Sequence, residues 1–309
     1  MSRIAYVNGR YLARNEAKVP VEDRGYQFAD GVYEVCEVRG GRLVDERRHM
    51  ARLERSLGEL RIARPMSQAA LAVVLRETIR RNRVRDGIVY VQVTRGVSRR
   101  DFPFPSADTR PSLVVTARSS PIEQLEDVAA QGIAVVTVPD IRWKRVDIKS
   151  VSLLPNVLAK QAAREQGARE AWLVDIQGHV TEGASSNAWI VSRNGKLITH
   201  PIGQDILSGI TRSVVIDAIR AQGLPFEERS FTIEEAYSAR EAFITSASQT
   251  VLPVVSINGR PVGNGAPGLI ATGLRRDYHR YAEISEYSTQ FWPNLEFGQT
   301  RQNPLISKG

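Results

Sequence analysis

The chain has 309 residues, 42% of them hydrophobic, which suffices for a large buried core and predicts two domains. Its single cysteine, Cys36, excludes an internal disulfide and a cysteine-based metal site and reads as a strand core residue, and no metal is expected. The net charge of +8 raises nucleic acid as a partner, but the arginines are scattered among acids without interleaved aromatics, so small anionic ligands suit the surplus better.

In chain order, residues 4–7, the turn Asn8-Gly9 and Tyr11-Leu12 predict a hairpin. Residues 32–38 alternate as a strand and turn at Gly40-Gly41. Met50, Leu53, Leu57 and Leu60 recur at helical spacing, and Ser67 is placed to cap a second helix ending near Arg83. Residues 88–94 and 113–116 give two more strands, so 1–117 forms a small α/β domain. Arg118-Ser119-Ser120-Pro121 marks a linker, taken as 118–122. A larger domain then spans 123–283. It has strands at 133–138, 171–174, 188–191, 197–199, 242–245 and 254–257, a short strand before Lys149, and helices from Asn156 to Gly167 and from Thr211 to Gly223. Thr232 and Glu235 are spaced as a capping box. The tail, 284–309, including Tyr287, Phe291 and Trp292, has no clear period and is left unassigned. No run of 18 apolar residues and no signal-like N-terminus is found, which predicts a soluble cytoplasmic protein with no membrane partner.

Only six of the 42 basic residues are lysines. Lys149, in Asp147-Ile148-Lys149-Ser150, sits where a strand is expected to hand over to a helix. A lysine attacks a carbonyl only when unprotonated, and burial or a cationic neighbour favours that form. The plain alternative is a surface lysine at a strand end, and Lys144 is the one serious rival. Glu182 follows 33 residues later in Thr181-Glu182-Gly183-Ala184-Ser185-Ser186-Asn187, either facing a cavity to hold a cation or capping Ser185 or Ser186. Leu207-Ser208-Gly209-Ile210-Thr211-Arg212 then opens a helix whose free amides suit phosphate. Arg52, on the flank of the first helix, is either a bidentate phosphate ligand or a surface arginine.

A lysine, a carboxylate and an anion cradle form the set that pyridoxal phosphate needs. Their order and spacing resemble the class IV, or fold-type IV, aminotransferases. The signature running from Glu182 through Leu197-Ile198-Thr199 to Arg212 matches, except that Trp189 replaces the usual Phe or Tyr, and the resemblance covers about residues 4 to 282. It implies an α+β enzyme with a small N-terminal domain and a larger one built on a mixed, barrel-like sheet. It further implies that Lys149 forms the Schiff base and is catalytic, and that Arg52, Lys149, Glu182, Leu207, Ile210, Thr211, Ser246 and Ala247 bind the cofactor. Residues 23–34 (Asp23-Arg24-Gly25-Tyr26 onward) and 147–150 look like the D-amino-acid transaminase branch. That likeness implies ping-pong transfer between D-amino acids and 2-oxo acids through pyridoxamine phosphate, by a homodimer with no nucleic-acid role. Tyr33 would line the substrate face. Arg100 would bind the substrate carboxylate from a loop that reaches across the dimer, where Phe102 stands in place of the branch's histidine and removes a hydrogen-bond donor. Branched-chain L-amino-acid transaminase, (R)-amine transaminase and 4-amino-4-deoxychorismate lyase share the lysine, glutamate and phosphate pattern.

Overall fold

The computed structural model describes residues 3–285. The hairpin forms because Asn8 and Gly9 both take positive φ (44° and 95°), the geometry of the tight turn that matches strand twist. It joins β1 (Ile4–Val7) to β2 (Arg10–Ala13). After α1 (Arg24–Phe28) come β3 (Gly31–Arg39), β4 (Arg42–Leu43), α2 (Glu46–Glu59), α3 (Gln68–Arg81), β5 (Gly87–Thr94) and β6 (Ser112–Ser119). Their strands make one antiparallel sheet in the order β2-β1-β6-β5-β3-β4. Valines from β5 and β6 pack against Leu53, Leu57 and Leu75 of α2 and α3. Along β3 the period of two sends Val32, Glu34, Cys36 and Val38 to the fully buried side and leaves Tyr33 and Val35 half-buried.

β6 runs on through Arg118 and Ser119, and α4 (Ile122–Gln131) starts three residues later, so of residues 118–122 only Ser120 and Pro121 lie outside regular elements. β7 (Ile133–Pro139), α5 (Leu154–Glu165), β8 (Glu170–Val174), β9 (His179–Gly183), β10 (Asn187–Val191) and β11 (Leu197–Thr199) follow. Next are α6 (Ile210–Ala221), β12 (Phe226–Glu228), β13 (Phe231–Thr232), α7 (Ile233–Ser238), β14 (Glu241–Ser246), β15 (Thr250–Ile257), β16 (Arg260–Pro261) and α8 (Leu269–Tyr281). The Thr232 and Glu235 capping box is present at α7. These strands form a mixed sheet ordered β12-β11-β10-β14-β15-β7-β8-β9-β13, with β16 on β15. The sheet curls, so that β9, near one end of the path, returns beside β10 through a three-residue turn. The fold is α+β, as expected.

One expectation changes, and one helix was not anticipated. No strand forms at 146–148. Arg55 and Arg145 both donate to the Asp147 carboxylate, and Ile148 N–H donates to Arg145 O, a local turn that competes with pairing. α8 carries no strong sequence signal because Gly273 interrupts it, yet it buries Ala271, Leu274 and Tyr278. The tail beyond 285 lies outside the described residues.

Candidate active site

A cavity of about 230 Å³ opens between the two sheets, where β3 and α2 face the Lys149 loop, the β9–β10 turn and the N-terminus of α6. Lys149 is held by its backbone. Its N–H donates to Ser56 Oγ at 3.3 Å and its carbonyl accepts from Tyr33 N–H at 3.0 Å, while Val151 N–H donates to Gly31 O. These bonds stitch the loop to the first sheet and leave the side chain free to enter the cavity. Nζ lies 4.2 Å from the centre of the Tyr33 ring, which stacks on Tyr90 at 5.5 Å. Burial pushes the Tyr90 hydroxyl up to about 12, so it remains a neutral donor to Gln92.

Glu182 is the next-to-last residue of β9 and is 4% exposed. Leu207 N–H donates to both its oxygens at 3.2 Å, Asn187 Nδ2 donates to Oε2 at 2.9 Å, and Arg142 Nη1 donates to Oε1. Burial raises its pKa, against the opposing pull of Arg142. Ser185 and Ser186 donate to Glu170, at 2.7 and 3.1 Å, so the capping role considered for Glu182 falls to Glu170.

Gly209 is the N-cap of α6 and supplies no side-chain cap, so the first amides of the helix face the cavity as anion donors. Arg52 is 8% exposed, which removes the surface reading. Its Nε and Nη2 donate to Glu34 and its Nη1 to Ser208 O at 2.8 Å. His49 meets the same carboxylate through Nδ1. Burial works against the charge on Glu34, but Arg52 outweighs it and holds this carboxyl well below its usual range.

The structure thus brings Tyr33, Arg52, Lys149, Glu182, Leu207, Ile210, Thr211, Ser246 and Ala247 to one cavity. It does not bring Arg100 or Phe102 there. Arg100 stacks over Phe28 at 4.7 Å, and Phe102, 82% exposed, packs beside the same ring at 5.6 Å. Lys144 is exposed and does not line the cavity. Arg142 and His49 were given no role by sequence reasoning. Arg142 contacts Glu182 from 40 residues away, a pairing that no local pattern announces.

Residues 31–257 match the model of the family described as amino-transferase class IV. The chain belongs to the class IV aminotransferases. It is 44% identical over 268 residues to a D-alanine aminotransferase of Bacillus licheniformis, covering 87% of this chain and 93% of that protein. It is 40% identical over 281 residues to one from Staphylococcus haemolyticus, covering 90% and 97%. Among solved structures, a branched-chain aminotransferase of Thermoproteus uzoniensis superposes with a TM-score of 0.76 at 27% identity, over 92% of this chain and 99% of the other. This class IV aminotransferase is a pyridoxal-phosphate enzyme, and its residues fit that group. A lysine shares the cavity with a buried carboxylate, and the first residues of α6 together with Arg52 line the same cavity with donors suited to an anion.

Proposed function

We propose that this aminotransferase moves amino groups between D-amino acids and 2-oxo acids in a ping-pong cycle through pyridoxamine phosphate. The observation that carries the reading is the identity of about 40% or more, over roughly nine-tenths of the chain, to relatives named D-alanine aminotransferase, joined to a cavity holding the residues the chemistry needs.

When bound, pyridoxal phosphate supplies an aldehyde for the amino group and a ring that takes up the electron pair of the breaking Cα–H bond. The chain supplies the rest. Lys149 holds the cofactor in the resting enzyme and, once its amine is free, takes the proton from the substrate's α carbon. Glu182 would bind the ring nitrogen. The amides of Ile210 and Thr211, with Arg52 and the Ser246-Ala247 turn, would hold the phosphate. Tyr33 walls the substrate side beside Lys149.

Arg100 and Phe102 fit this reading as a loop serving the cavity of a second copy. The exposed apolar side chains Leu154, Val157 and Leu158 on α5 support association into a homodimer. The division into domains at 1–117 and 123–283 and a cytoplasmic location belong to the same reading. Among the described residues no helix is long and apolar enough to cross a membrane.

The test is to add D-alanine, L-leucine and an (R)-amine separately to the coloured holoenzyme and follow loss of the absorbance. Bleaching by D-alanine with turnover dependent on a 2-oxo acid is expected. Bleaching by the L-amino acid alone moves the assignment to the branched-chain enzymes, and repeated turnover of 4-amino-4-deoxychorismate to pyruvate without a 2-oxo acid acceptor moves it to the lyase.

A further inference from the structure

Glu182 cannot be considered without the cation locked against it. The Arg142 side chain is 3% exposed and spends its donors on three elements. Nε and Nη2 grip both oxygens of Asp140 at 2.9 and 2.7 Å, Nη1 donates to Glu182, and Nη2 also reaches Asp205 O at 3.2 Å. Thr181 Oγ1 donates to Asp140 at 2.8 Å, so the Asp140 side of the clamp is itself fixed by the strand that carries Glu182. A planar guanidinium bound at this many points has little freedom to leave.

We propose that Arg142 is a positioning residue that keeps the proton shared by Glu182 and the cofactor's ring nitrogen on the ring. The inference rests on the reading that Glu182 takes that nitrogen. A carboxylate in a dry site gains affinity for protons, because burial penalises its charged form. Left alone, Glu182 would hold the proton as a neutral acid beside a neutral ring, and a neutral ring is a poor electron sink. The charged groups acting on Glu182 are Arg142 and Lys149, both of which favour its carboxylate, with Asp140 behind Arg142. Its remaining partners, Asn187 and the Leu207 amide, are neutral donors. Lys149 is committed to the reaction, so Arg142 is the permanent counter-charge. Asp140 anchors that cation while taking up part of its charge.

The experiment loads the enzyme with cofactor labelled with ¹⁵N in the ring and reads protonation by NMR, alongside the rate of the D-alanine half-reaction. In the wild type a protonated nitrogen is expected. In Arg142→Leu the resonance should move to the unprotonated position and the half-reaction should slow by about 10- to 100-fold, the usual effect of removing a partner one shell out. Arg142→Lys should restore the protonated signal. A leucine variant whose ring nitrogen stays protonated overturns the proposal. Where that variant does not fold, Asp140→Asn with Arg142→Leu removes both buried charges and is judged by the same signal. An unprotonated ring in the wild type would instead sink the reading of Glu182 itself, which separates the two failures.

Discussion

Arg52 and Glu34 form a two-point ion pair, with Nε to Oε1 at 2.7 Å and Nη2 to Oε2 at 2.9 Å, in a site where Glu34 is fully buried. The strand residue orients the helix residue, so the guanidinium points its remaining edge at Ser208 and the cavity. Glu34 therefore sets the orientation that the proposed phosphate role of Arg52 requires.

Glu34→Gln should weaken the hold on pyridoxal phosphate by at least about tenfold and, as the breaking of a buried pair, lower stability by roughly 3–5 kcal/mol. The pH dependence follows from the depressed carboxyl. Its contribution is fully present above the unfolded glutamate value of about 4.3 and is lost as pH falls toward the folded value below it. Urea unfolding of both proteins should thus show a gap at neutral pH that narrows below about pH 4. A constant gap would contradict the assignment.

Lys149→Ala should reduce turnover by at least about 10²- to 10⁴-fold, the range for loss of a general base, while leaving the fold intact. The loop's tethers explain the second half, since the hydrogen bonds with Ser56 and Tyr33 are made by the Lys149 backbone. Steady-state assay with D-alanine and a 2-oxo acid, plus borohydride reduction followed by peptide mapping, checks both parts. Label at another lysine would move the chemistry.

How much of this was legible in the sequence depends on distance along the chain. Lys149, Glu182 and the 207–212 cradle each sit in a contiguous motif whose local structure follows from a few residues. Arg142, Glu34 and His49 do not, because each matters only through a partner on another element: Arg142 through Glu182 and Glu34 through Arg52, 18 residues on. The strand expected before Lys149 failed for a related reason. Its apolar residues fit a ladder, but Asp147 collects two arginines, one of them from 92 residues away. α8 was hidden by Gly273, although Ala271, Leu274 and Tyr278 keep helical spacing.

Phe102→His should improve use of D-amino acids. The substitution returns one donor to the loop carrying Arg100, and a single hydrogen bond is worth about 0.5–1.5 kcal/mol, or roughly 2- to 10-fold in kcat/KM. Phe102 is exposed, so the change carries little structural cost within the chain. Comparison of D-alanine with a D-amino acid amide lacking the carboxylate isolates the effect. Equal gains for both would show that the loop does not read the carboxylate.

Gly209→Ala tests the phosphate cradle without touching a charge. Gly209 has an ordinary backbone, φ −67°, so any residue tolerates the conformation, but an added Cβ would lie 2.0 Å from Asn187 Oδ1. Either Asn187 turns away and withdraws its 2.9 Å bond from Glu182, or the start of α6 shifts off the cavity. Crowding of this kind costs about 1–3 kcal/mol, and the same displacement should weaken cofactor binding by about tenfold, equivalent to about 1.4 kcal/mol. Thermal unfolding of the apoprotein measures the first effect and titration with pyridoxal phosphate the second. Gly209→Ala with lowered apoprotein stability, an unmoved Asn187 and full cofactor affinity would mean that the helix amides are not the phosphate site.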